Sequence, residues 1–176
     1  MGQIVSAVLL FERDDVDVLC RLSSRLNESL IYLDGTNLPH ITVAQFEAPF
    51  DQTKSLWDET EGFGNLVSKV ISAGVSFVPT PNNNETWVEL QILKTQALQD
   101  LQDKILDTKF ARNHQMIAGK NNQYRPHITI GLLKGYQSQA IDLSEFTDLF
   151  RREFTVRLAV GPNGENFTFS KEQFSL

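Results

Sequence analysis

The chain has 176 residues, 41% hydrophobic and 22% charged, the balance of an ordinary soluble globule, and its length predicts one domain, 1–176, built of two lobes. Acidic residues outnumber basic ones 22 to 16, and the net charge of −6 argues against a protein that coats long nucleic acid. One cysteine, Cys20, excludes an internal disulfide and fits a reducing, cytoplasmic setting, and no apolar run is long enough to span a bilayer.

Residues 3–11 read as a strand. The opening Met1-Gly2-Gln3-Ile4-Val5-Ser6 also matches an N-myristoylation template, but Ile4, Ala7 and Leu9 belong to the pattern of a buried first strand, which is the reading taken. Asp14 or Asp15 is expected to cap a helix whose stripe is Leu19, Leu22, Leu26 and Leu30, with Cys20 a small core residue. A turn at 34–37 leads to a strand at 40–46, which Pro49 ends, and 51–60 forms a short acidic helix. Asn65 is expected to cap a further helix carrying Leu66, Val67, Val70 and Ile71, closed by Gly74. Strands follow at 75–79 and 86–93. In the second, Val88, Leu90 and Ile92 alternate with a polar face of Trp87, Glu89 and Gln91.

Thr95 caps a helix with the stripe Leu98, Leu101, Ile105 and Phe110, and His114, past its end, reads as a surface residue outside the chemistry. A polar loop at 118–125 runs into another strand starting at 127. Leu143, Phe146, Leu149 and Phe150 mark a short helix, and Phe154, Val156, Leu158 and Val160 alternate as a strand. A hairpin turn at 161–166, centred on Asn163-Gly164, joins it to a last strand with Phe167 and Phe169.

One tetrapeptide occurs twice. Pro39-His40-Ile41-Thr42 and Pro126-His127-Ile128-Thr129 lie 87 residues apart and hold two of the three histidines. β-Branched Ile and Thr favour strands, in which alternate side chains share a face. His40 and Thr42 therefore project together, as do His127 and Thr129, with Ile41 and Ile128 turned to the core. Two such strands facing each other bring together two imidazoles and two hydroxyls. Histidine titrates near neutrality, so one ring can take a proton while the other gives one. The threonine hydroxyls can hold non-bridging phosphate oxygens. That set suits cleavage of a phosphodiester. A zinc site needs three or four ligands, which two distant histidines and one cysteine do not supply, so no metal or other cofactor is expected.

Around the motifs, Phe46 and Trp87 are candidate stacking surfaces for a base, although Phe46 equally fits the core and Trp87 equally fits a position under a loop. Tyr124 and Arg125 precede the second motif and are candidate substrate contacts, Arg125 for phosphate. No acidic residue occurs from 108 to 141, while Lys109, Arg112, Lys120, Arg125 and Lys134 do, which makes either a locally positive site or a solvated face balanced from elsewhere.

On His40-Ile41-Thr42-Val43 and His127-Ile128-Thr129-Ile130 the sequence resembles the 2H phosphoesterase superfamily, which includes 2′-5′ RNA ligase-like proteins and cyclic phosphodiesterases. The resemblance implies a bilobal α+β fold, two antiparallel sheets flanked by helices with the motifs on either side of a central cleft. It implies metal-independent catalysis, with His40 and His127 as acid and base and Thr42 and Thr129 on the phosphate. The expected activity is hydrolysis of nucleotide 2′,3′-cyclic phosphates or 2′-5′ linkages by a monomer, on a small nucleotide or short oligonucleotide and away from membranes. RNA end-processing or ligation, cleavage of cyclic oligonucleotide signals, and non-catalytic binding of a phosphorylated ligand stay open as alternatives.

Overall fold

Near-continuous hydrophobicity in a short run marks a strand covered on both faces. Residues Ile4–Phe11 form such a strand, β1: Val5, Ala7, Leu9 and Phe11 are buried on one side, Ser6, Val8 and Leu10 on the other. In the computed structural model, which describes residues 3–26, 33, 37–80, 85–117, 119, 121–134 and 143–163, β1 lies between two antiparallel neighbours. The elements that follow are α1 (Arg13–Arg25), β2 (His40–Glu47), α2 (Thr53–Thr60), β3 (Lys69–Pro79), β4 (Glu85–Ile92), α3 (Gln96–Leu106), α4 (Lys109–Asn113), β5 (Gln115–Met116), β6 (His127–Lys134) and β7 (Glu153–Pro162); α4 and β5 add to the expected set, and the rest largely recur. Thr95 caps α3, its hydroxyl accepting the Leu98 N–H at 3.3 Å. The myristoylation pattern, Leu30 and the last strand with its turn beyond Asn163 fall wholly or partly outside the described residues.

Three local readings differ. The helix expected to carry Phe110 ends at Leu106, and Thr108, whose hydroxyl accepts the Ala111 N–H, caps the separate α4 that holds this ring. The N-cap of α1 is Glu12, in extended conformation, so Asp14 and Asp15 fall inside the first turn, where acidic side chains complement the helix dipole. Residues expected as a helix before Gly74 are instead a six-residue 3-10 segment, Glu61–Leu66, and the start of β3. Val70 and Ile71 are β-branched, and pairing with Phe154 and Glu153 of β7 prevails over a short helical pattern. Gly74 adjoins a bulge in β3 and has a φ of 158°.

The strands form one mixed α+β architecture around a seven-stranded antiparallel sheet, in the order β5-β2-β1-β7-β3-β4-β6, where the sequence led to two sheets. The reason lies in β7. Its first residues, Glu153 to Thr155, pair with β3, and Val156 to Pro162 pair with β1, so one long strand joins the halves. Each half contains one motif strand on an antiparallel partner: β2 on β1 and β6 on β4. The helices cross over. α1, which follows β1, packs on β6, and α3, which follows β4, packs on β2; β2 and β6 also meet, although they are far apart in the strand order. Most buried side chains form one core that takes in Leu9, Ile41, Phe46, Leu90, Ile128 and Phe154. Val8, Leu10 and Ala159 form a smaller cluster, with Leu38 against it.

Candidate functional site

The two motifs have the same local construction. In β2, Thr42 pairs with Val8 and Ala44 pairs with Ala7, so Val43 is an extra residue. In β6, Thr129 pairs with Glu89 and Gly131 pairs with Val88, so Ile130 is an extra residue. Both bulges come three positions after the histidine. A bulge disrupts the ladder and leaves its extra residue unpaired. Here a buried side chain from the crossing helix answers each bulge carbonyl: Gln102 of α3 donates to Val43 O at 2.9 Å, and Ser23 of α1 donates to Ile130 O at 2.6 Å.

The histidines are oriented alike. His40 Nδ1 lies 2.9 Å from Leu38 O, and His127 Nδ1 lies 2.8 Å from Arg125 O. In both cases the partner is the carbonyl two residues earlier. A carbonyl only accepts, so Nδ1 carries the hydrogen in both rings, and the lone pair of each neutral ring is on Nε2. Both rings are half-buried, as are Thr42 and Thr129. His40 is held below the ordinary value of 6.5, first by burial and further by the charge of His127, against the opposing effect of its bond to Leu38. The two rings are thus close enough for the protonation of one to disfavour that of the other.

Paired residues of antiparallel strands share a face. His40 stands opposite Leu10 and Thr42 opposite Val8, which makes an apolar wall. His127 stands opposite Gln91 and Thr129 opposite Glu89, which makes a polar one. Glu89 is 3% exposed, and its carboxylate receives both terminal nitrogens of Arg125, Nη1 to Oε2 at 2.6 Å and Nη2 to Oε1 at 3.2 Å. Gln91 Nε2 donates to Oε2 at 3.1 Å, Ser76 Oγ lies 3.4 Å from it, and His127 Nε2 lies 3.4 Å from Oε1. Glu89 is the residue that the sequence reading passed over. Its place on the polar face of β4 was visible, whereas its burial depends on the partners that β6 and Arg125 bring.

The other candidates divide. Arg125 is beside His127 and half exposed, with Glu89 as its partner. Trp87 is half-buried on the face of Glu89, across from Leu132. Phe46 does not line the site: it is fully buried, with its ring 5.5 Å from that of Phe110 at 79°. The Val43 bulge turns Ala44 and Phe46 to the core side, where simple alternation from His40 would put them beside the imidazole. Tyr124 is also a core residue, 6% exposed, and its hydroxyl has no hydrogen-bond partner among the described residues. His114 is not part of the site; it stacks on Phe110 with ring centroids 4.2 Å apart. Of the basic stretch, Arg125 is spent on Glu89, and Arg112 pairs with Asp107.

No protein-family model matches the chain, and no curated protein sequence matches it. A solved structure described as "Crystal structure of phosphoesterase" is similar over 99% of this chain and 94% of its own, with a TM-score of 0.53 and 12% sequence identity. At that identity the likeness speaks for the fold. No described helix is long and apolar enough to cross a membrane.

Proposed function

We propose that the protein is a metal-independent phosphodiesterase in which His40 and His127 act as general base and general acid on a small nucleotide substrate, a 2′,3′-cyclic phosphate or a 2′-5′ linkage. The observation that carries the proposal is the twofold repetition of the histidine setting, Nδ1 fixed on the carbonyl two residues earlier at 2.9 and 2.8 Å, with the two rings electrostatically coupled. Fold similarity to a phosphoesterase supports it. The bilobal reading, with the motifs facing each other across a cleft, belongs to the same proposal and is supported by the approach of β2 to β6.

In this mechanism neutral His40 takes a proton from water through Nε2. Water oxygen forms a bond to phosphorus, the bond from phosphorus to the leaving ribose oxygen breaks, and protonated His127 gives its proton to that oxygen. The pair then exchanges protons with solvent and resets. Burial against Leu10 and Val8 lowers the proton affinity of His40, and this favours His40 for the part of the base. Thr42 and Thr129 donate to the non-bridging oxygens and fix the phosphorus in line. Trp87 offers a surface for a base, and the substrate in this reading is a small nucleotide or short oligonucleotide handled by a monomer.

Hydrolysis of 2′,3′-cyclic mononucleotides, a 2′-5′ oligoadenylate, its 3′-5′ counterpart and a cyclic dinucleotide, with EDTA present, tests this. Turnover is expected in EDTA and is expected to fall about 10² to 10⁴-fold in His40→Ala and in His127→Ala. Activity equal in all three proteins, or lost to EDTA alone, would overturn the proposal.

A further inference from the structure

The two halves repeat each other down to the bulge and the helix that caps it, yet the residues facing the motifs differ in kind, most sharply across from the threonines. Opposite Thr42 stands Val8; opposite Thr129 stands Glu89. A buried carboxylate is costly unless it is paired, and this one is wholly engaged. Its engagement encloses His127. Arg125 O accepts from Nδ1 at 2.8 Å, the Glu89 carboxylate stands at Nε2 at 3.4 Å, and the Arg125 side chain grips that carboxylate through two nitrogens. With the hydrogen of the neutral ring committed to Nδ1, the lone pair on Nε2 would face a carboxylate oxygen, which is repulsive. Once Nε2 is protonated, the same contact becomes an ion pair. The register position that matches Glu89 in the other half is Val8.

We propose that Glu89 is a positioning residue that divides the labour between the two histidines: it holds His127 as the charged proton donor and keeps Arg125 beside it as a fixed cation. This rests on the two-histidine reading above and deepens it. The charged and titratable groups facing His127 among the described residues are Glu89 from β4, Arg125 at the entry to β6 and His40 from β2; Gln91 adds an amide. Arg125 and His40 oppose the positive charge on His127, and Glu89 favours it, together with the Arg125 carbonyl that accepts from Nδ1. The salt bridge between Glu89 and Arg125 therefore acts as a setting. Arg125 tempers the carboxylate enough for His127 to release its proton during turnover.

The test uses the full chain and two substitutions that pull in opposite directions. Glu89→Gln removes the anion and keeps the shape; Arg125→Gln removes the cation and leaves the anion to His127. The alkaline limb of kcat/KM is expected to move to lower pH by about one unit or more in Glu89→Gln, and to higher pH in Arg125→Gln, with a smaller movement of the acid limb of His40 through its coupling to His127. A bridge that only supports the fold would lower stability in both variants without opposite movement of the limb. Limbs that stay in place, or move together, would overturn the proposal. NMR titration of the His127 ring nitrogens in the same proteins gives the answer without turnover. If the wild type hydrolyses no phosphodiester, the two-histidine reading fails, and the ring titration still decides the role of Glu89. Should Glu89→Gln not fold, Arg125→Gln and Glu89→Asp carry the comparison, the latter expected to retain the wild-type limb.

Discussion

Gln102 donates its side-chain amide to the carbonyl of Val43 at 2.9 Å, and through that bond a helix of one half holds the motif strand of the other. The same amide reaches Gly119 O at 3.3 Å, in the loop that leads toward the second motif. Ser23 mirrors it at Ile130 O and also accepts the Leu33 N–H at 3.1 Å. Gln102 is fully buried and Ser23 nearly so. Replacing Gln102 with Leu leaves a bulge carbonyl unanswered, a loss of about 1–3 kcal/mol. Urea unfolding of Gln102→Leu and Ser23→Ala is expected to show losses in that range. Because each bulge follows its His-Ile-Thr run directly, kcat on the preferred substrate is expected to fall as well, with KM little changed. Wild-type stability in both variants would mean that the bulges hold themselves.

The bulge also decides what Phe46 does. Truncation of Phe46 to Ala empties a site packed against Phe110 and is expected to cost about 3–5 kcal/mol. At a temperature where the variant remains folded, KM is expected to match the wild type, because the ring contacts no substrate. A raised KM with unchanged stability would restore Phe46 to the binding surface.

Regular features of the chain were legible in the sequence. The alternation of β1, β4 and β7, the stripe of α3 and its Thr95 cap all follow from local chemistry. The repeated motif announced the two histidine strands and which way His40 and His127 turn. Long-range features escaped. A bulge adds no distinctive residue: Val43 and Ile130 continue the apolar pattern, and only the partner strand shows that they are extra. The start of β3 read as a helix because Leu66, Val67, Val70 and Ile71 fit that spacing as well as alternation, and β7 settles it by pairing. Glu89 looked like any outward acidic residue of a half-buried strand. Its burial is created by Arg125, 36 positions away, and by the neighbouring strands.

Tyr124 was expected at the mouth of the site, and its burial gives a different prediction. The buried phenol is pushed above the ordinary value of 10.0 by desolvation, and its oxygen has no partner among the described residues. Tyr124→Phe removes an unsatisfied group and keeps the ring, so stability at neutral pH is expected to be unchanged or up to about 1 kcal/mol higher. The unfolded chain loses the tyrosine proton first as pH rises. The wild type therefore keeps this contribution below pH 10 and loses it above, and Tyr124→Phe lacks that alkaline loss. Thermal melts from pH 8 to 11 check both parts. A clear loss of stability at neutral pH would show that the hydroxyl has a partner.

His40 links stability to chemistry. Burial lowers its proton affinity in the folded chain below that of the unfolded chain, where the value is 6.5. The unfolded state then binds the proton more readily between the two values. The stability contribution is full above pH 6.5 and is lost as pH falls through the folded value. In His40→Gln this component is expected to vanish, so the slope of stability against pH below 6.5 flattens. The same lowering places the acid limb of kcat/KM below pH 6.5 if His40 is the base, since a base works in its neutral form. His127 enters through its charge, which helps to keep His40 neutral. In His127→Gln the His40 titration, followed by NMR, is expected to move toward 6.5 while the contact with Leu38 persists. A His40 titration indifferent to His127 would separate the two rings and remove the electrostatic coupling on which the acid–base pair depends.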